Sequence, residues 1–73
     1  MKIDIKNVIA KLVKDVYSLR LLADYGEKGE VDLTIKLITS SHYEVWPMGG
    51  DGFVVTSEGL LKLFNGIMFT ICP

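Results

Sequence analysis

Between Tyr17 and Thr39 the chain alternates apolar and polar residues twice, with one short glycine-flanked break. In "YSLRLLADY", Tyr17, Leu19, Leu21, Ala23 and Tyr25 alternate with Ser18, Arg20, Leu22 and Asp24. In "VDLTIKLIT", Val31, Leu33, Ile35 and Leu37 alternate with Asp32, Thr34, Lys36 and Ile38. A period of two puts one row of side chains on each face of a strand, so both stretches read as half-buried strands. The break, "GEKGE", is short enough to join them as an antiparallel hairpin. Glu27, Lys28 and Gly29 fit a three-residue loop that ends left-handed, a conformation glycine takes without a Cβ clash. Closing there pairs Tyr25 with Val31, Ala23 with Leu33, Leu21 with Ile35 and Leu19 with Leu37, and the apolar rows coincide. It also sets Asp24 opposite Asp32 and Arg20 opposite Lys36, like-charge pairs that suit only a wet face.

The other face of such a sheet needs cover, and two segments have helical spacing. Ile5, Val8, Ile9, Leu12, Val13 and Val16 recur as on one helix face. Asp4 is a suitable N-cap, with Ile3 and Val8 at the positions of a hydrophobic staple. A helix is expected from Ile5 to Val16, with Lys6, Lys11 and Lys14 off its apolar face. In "TSEGLLKLFNG", Thr56 or Ser57 caps a second helix, Glu58 suits its positive end and Asn65-Gly66 its stop. Leu60, Leu61 and Phe64 form its stripe. Between the helices, "YEVW" and "FVVT" read as strands joined by "PMGGDG", with Tyr43 and Val45 facing Val55 and Phe53. In the tail, Ile67, Phe69 and Ile71 alternate as in a strand, while Leu60, Phe64, Ile67, Met68 and Ile71 would continue a helix face. Gly66 and the β-favouring composition select the strand.

The expected fold is a single small α+β domain over residues 1–73. It has an N-terminal helix, an antiparallel meander of about four strands, a second short helix and a C-terminal strand. Both helices cover one face of an open sheet. The alternative is a small closed barrel with a leading helix, similar in element order to Sm-like and SH3-like barrels. No motif of those families is present, and element order does not carry function.

Composition limits the function classes. The chain has 73 residues, 49% hydrophobic and 23% charged, with a net charge of −1. That is globular rather than disordered, and it lacks the basic excess typical of duplex-DNA binders. A domain this small buries only roughly 60% of its unfolded surface, so pairing with a copy or a partner is a natural route to stability. The one cysteine, Cys72, can make neither an internal disulfide nor a cysteine zinc site. Asp4 and Lys6 interrupt any secretory leader, and no apolar run approaches a membrane span. A soluble cytoplasmic protein is expected.

No catalytic constellation emerges. The single histidine, His42, reads as a turn residue. Nothing in the spacing assembles it with Ser40, Ser41, Cys72 or Asp51 into a nucleophile arrangement. Too few ligands are present for a transition-metal site. Asp24, Glu27, Glu30 and Asp32 read as a solvated hairpin end rather than a hard-cation site. "MGGDG" precedes a strand and lacks the lysine of a phosphate loop. No cofactor and no enzyme activity are expected.

Apolar surface is the feature left over. Leu22, Ile38, Trp46 and Val54 fall on the non-core face, with Pro47 and Met48 in the loop beside them and Arg20 and Lys36 near. Tryptophan, methionine and arginine are enriched where proteins dock, and contiguous apolar patches mark interaction sites. The expected binding residues are therefore Trp46, Met48, Arg20, Leu22, Ile38 and Val54. The partner is another protein or a second copy, with no membrane. The expected function is a non-catalytic, inhibitor-like or regulatory module. Free-standing chains of this size include many modulators carried by phages and other mobile elements. A nucleic-acid-binding module using sheet aromatics and helix lysines is the alternative, disfavoured by the charge. A closed barrel, by contrast, would bury Trp46 and Met48.

Overall fold

The computed structural model describes residues Met1–Pro73. Strand β1 (Lys2–Asp4) leads directly into helix α1 (Ile5–Lys11), which continues as a π-helical turn over Leu12–Val16. Strands β2 (Ser18–Asp24), β3 (Glu30–Thr39), β4 (His42–Pro47) and β5 (Phe53–Thr56) follow as a meander. Helix α2 (Ser57–Leu63) and strand β6 (Met68–Ile71) complete the chain. The strands form one antiparallel sheet in the order β1-β6-β2-β3-β4-β5. Neither helix is long and apolar enough to cross a membrane.

The caps follow local chemistry. The Asp4 carboxylate accepts the Asn7 amide hydrogen at 3.0 Å, and the Thr56 hydroxyl accepts that of Gly59 at 3.0 Å. Leu60 and Phe64 of the second segment are buried, and Gly66 at φ 79° lets the chain turn back toward the sheet.

The helical span is as expected, but its last turn differs. The Tyr17 amide donates to the Leu12 carbonyl, a five-residue step. This wider turn rotates Val13 and Val16 off the stripe, so both are exposed while Ile5, Val8 and Leu12 are buried. Tyr17 then takes a left-handed conformation, φ 60°, and is exposed rather than aligned with the core row.

Six strands stand where about four, with a C-terminal fifth, were expected. The addition is β1, whose Ile3 lies opposite Phe69. The C-terminal strand is real and interior, inserted between β1 and β2. The sheet is open, with β1 and β5 at its two edges.

The first hairpin is registered two residues from the expected pairing. Leu21 lies opposite Leu33, Leu19 opposite Ile35 and Ala23 opposite Val31. The turn closes over Gly26–Lys28, one residue early. The Asp24 carboxylate accepts the Gly26 amide hydrogen at 2.8 Å and ends the strand there. Gly26 and Gly29 both have positive φ, 65° and 95°. A two-residue slip keeps every side chain on its face, so the apolar rows still coincide. The second hairpin matches its expectation, with Tyr43 opposite Val55 and Val45 opposite Phe53.

The core lies between one sheet face and the two helices. Leu21, Ala23, Leu33, Ile35, Tyr43, Val45 and Phe69 contribute from the sheet, and Ile5, Val8, Leu12, Leu60 and Phe64 from the helical segments. Phe69 is fully buried, and its ring meets that of Phe64 edge-on at 5.2 Å. A buried Phe→Ala change costs roughly 3–5 kcal/mol, about all that a core of this size supplies. Phe69→Ala is therefore expected to be unfolded without denaturant, while Met68→Ala, on the opposite face, keeps a cooperative urea transition. Far-UV circular dichroism with urea titration distinguishes the two.

Candidate functional site

The sheet face away from the helices carries no covering element. Because side chains alternate, the even-numbered residues of the central strands share it, and register arranges them in rows. One row runs Arg20, Thr34, Trp46. The row on one side contains Thr70, Leu22 and Asp32. The row on the other contains Ser18, Lys36, Glu44 and Val54. Leu22, Thr34, Asp32 and Thr70 are half-buried by their neighbours.

Trp46 faces outward, 43% exposed. Its exposure is limited by Gly52 on the neighbouring chain segment. A Cβ built on Gly52 would stand 2.4–2.7 Å from three ring atoms of Trp46. The indole thus lies flat on glycine backbone, an aromatic covering a sheet glycine. Met48, in the loop after β4, is 67% exposed, and its amide donates to the Asp32 carbonyl at 2.9 Å.

The expected binding residues do not merge into one apolar patch. Arg20 donates to Asp32 through Nε at 3.1 Å and Nη2 at 2.6 Å. This forked ion pair passes between Leu22 and Trp46, which stand on β2 and β4, about 10 Å apart across the sheet. Val54 is the diagonal neighbour of Trp46 on β5. Ile38 stands at a bulge on β3, four residues from Thr34 and so about 13 Å further along. Trp46 and Val54 are brought together, and Met48 follows two residues past Trp46 in the loop, on the side away from Val54. Leu22 and Ile38 are set apart.

The lysines weighed for nucleic acid, Lys6, Lys11 and Lys14, belong to α1 and its π-helical extension, on the covered side of the sheet. They share no surface with Trp46. The one surface depression, about 490 Å³, is also there, lined by Met1, Ile3, Asn7, Ala10, Lys11, Lys14 and Asp15.

The polar candidates are occupied locally. His42 opens β4, with Nδ1 3.0 Å from Ser41 Oγ and 3.2 Å from Thr39 Oγ1, all exposed. Asp24 pairs with Lys2 at 2.5 Å. Cys72 is half-buried, and its amide donates to the Arg20 carbonyl. No three His, Cys, Asp or Glu side chains come together as a metal site would require.

The ionisation of two acids is shifted by their partners. The hydrogen bond from Lys2 holds the Asp24 carboxyl below its ordinary 3.8, aided by the Gly26 amide. The Arg20 fork does the same for Asp32. The unfolded chain therefore binds these protons more readily. The resulting stability is complete above the ordinary value and is lost as pH falls through the lowered ones.

Comparison with family models, with characterised proteins and with solved structures finds no match for this chain.

Two expectations follow. Asp32→Asn should flatten the acid limb of a plot of urea midpoint against pH; an unchanged limb would mean that the Arg20–Asp32 pair adds no measurable stability. Gly52→Ala should push the indole off the sheet. Trp46 is the only tryptophan, so its emission should shift to the red and become more open to acrylamide quenching, with little change in urea midpoint. Unchanged emission would show that the ring does not rest on Gly52.

Proposed function

We propose that this chain is a soluble, cytoplasmic, non-catalytic protein-binding module that docks through its uncovered sheet face. Trp46 is the anchor, with Met48 and Val54 beside it and Arg20 on the same row. The reading is carried by one observation: a large aromatic side chain, half-exposed, lies on an uncovered face against the backbone of Gly52. Tryptophan and arginine dominate the energetics of protein interfaces. An indole already pressed onto backbone loses little rotamer freedom when a partner closes over it.

The mechanism is occlusion. The exposed edge of the indole fills a pocket on the partner, Met48 adapts to its rim, and the flat sheet excludes water around them. Such a module acts by covering a surface, as inhibitors and modulators do. The separation of Trp46 from the helix lysines favours a protein partner, because a stacking platform for single strands needs its aromatics inside a positive groove, and on its own face Lys36 is opposed by Glu44 and Arg20 is tied to Asp32.

The double variant Trp46→Ala/Met48→Ala is expected to lose capture of the partner that the parent chain retains, while Lys11→Ala keeps it. Both variants should keep the parent circular-dichroism spectrum and urea midpoint. Affinity capture from source-cell extract, read by mass spectrometry, makes the comparison. Equal capture by parent and double variant would overturn the proposal. Salt-sensitive binding of single-stranded RNA or DNA that survives loss of Trp46 would do so as well.

A further inference from the structure

The two edges of the sheet are defended unequally. β1 is three residues long and carries Lys2 and Asp4. β5 reads Phe-Val-Val-Thr, with no charge and no proline, and its pairing with β4 runs without a bulge. Charges, prolines and bulges are the devices that keep strand edges from pairing with other chains, and β5 has none of them. Phe53 and Val54 are 43% and 59% exposed and point to opposite faces.

The direction of the free backbone groups follows from the ladder. The Ser57 amide donates to the Ser41 carbonyl at 2.9 Å. In an antiparallel ladder hydrogen-bonded pairs alternate, so Val55 and Phe53 also direct their amides and carbonyls toward β4. Gly52 and Val54 direct theirs outward, with no strand to receive them.

We propose that β5 is a dimerisation edge. It pairs antiparallel with β5 of a second copy of this chain, about a two-fold axis at Val54. In this register the two Val54 residues exchange their outward amide–carbonyl bonds, and Gly52 pairs with Thr56 of the copy. On the helix side, Phe53 meets Val55 of the copy, and the reverse. On the open face, Val54 meets Val54. Both exposed apolar side chains thus gain apolar cross-strand partners, and the contact is self-complementary, as a two-fold interface must be.

Charge and register agree. No ionised side chain lies between Gly52 and Ser57, so nothing repels the copy, and Asp51 falls opposite Ser57 rather than an acid. A two-residue slip one way would set Asp51 against Val55; the other way would set Phe53 against Ser57. Each loses the Val54 pair, setting Val54 against Gly52 or Thr56, and leaves one apolar side chain opposite Asp51 or Ser57. The result is one sheet of twelve strands across two chains, with the Trp46 ring of each copy beside the joint. The dimer is held by the edge backbone and partner docking by Trp46; the two share Val54, so Trp46→Ala, which leaves the edge intact, separates them.

The test is mass in solution plus register-specific cross-linking. The parent chain is expected to approach twice its 8.1 kDa as concentration rises in sedimentation equilibrium. Val54→Lys is expected to remain monomeric with the parent circular-dichroism spectrum. For register, Val54→Cys/Cys72→Ser should form a disulfide-linked dimer under mild oxidation much faster than Lys36→Cys/Cys72→Ser. This arm does not depend on the charged variant folding. A parent chain that stays monomeric at its highest soluble concentration would overturn the proposal, even where it captures a partner through Trp46. So would a dimer that ignores Val54→Lys, or one that links as fast through position 36 as through position 54.

Discussion

The rest of the fold depends on where the last strand goes. β6 enters between β1 and β2, so the chain's final strand becomes an interior one. Phe69 carries that placement. It is fully buried, opposite Ile3 on one side and Ala23 on the other, with Phe64 against its ring. The small side chain of Ala23 leaves room for the ring. Once β6 is seated, Ile3 is drawn into pairing and β1 exists as a strand. α1 then starts at the sheet edge with Asp4 as cap, and its Val8 and Leu12 are carried over the sheet. The pairing of β6 with β1 and β2 joins sequence-distant segments, the kind of long-range contact that slows folding.

Much of this was legible because period and cap chemistry are local. The alternation of Leu19, Leu21 and Ala23 with Arg20 and Leu22 needs no knowledge of the rest of the chain. The same holds for Asp4 and Thr56 as caps. The limits were physical as well. Face assignment is unchanged by a two-residue slip, so the pattern alone could not separate Tyr25–Val31 from Ala23–Val31. The Asp24–Gly26 hydrogen bond decides it. β1 is too short for any period to be visible, and it appears only because Phe69 recruits Ile3. The π-helical turn was hidden because Val13 and Val16 fit an ideal helix face.

The site depended on the same slip. With Arg20 opposite Lys36 the arginine would have been free, and the apolar residues of the face could have formed one patch. With Arg20 opposite Thr34, Asp32 becomes its diagonal neighbour, and the fork closes between Leu22 and Trp46. A two-residue error in register, harmless for the core, therefore reorganises the outer face. The role of Gly52 could not be read from sequence either. In "PMGGDG" every glycine looks like turn chemistry, yet Gly52 has no left-handed φ and serves as a floor for an aromatic ring.

An uncovered sheet face must satisfy two opposed demands. A continuous apolar face across six strands would associate without selectivity, while a wholly charged one would offer a partner little to desolvate. The Arg20–Asp32 fork and the opposed Lys36 and Glu44 supply charge across β2, β3 and β4, and half-buried Thr34 fills the space between. The exposed apolar residues of the face are spaced apart: Trp46 and Val54 stand together at the β5 side, Ile38 and Met68 stand away from them, and Gly52 hides one flank of the indole until something takes the other. On the proposed reading, selectivity comes from this spacing. A partner must match one ring and its immediate border, and any larger apolar surface laid on the sheet would strand the Arg20–Asp32 charges away from water. The pair is solvated in the free chain, where such pairs contribute little; burying it without matching polar groups is costly, so on this reading the same ion pair that keeps the face wetted disfavours a partner that would cover it with apolar surface.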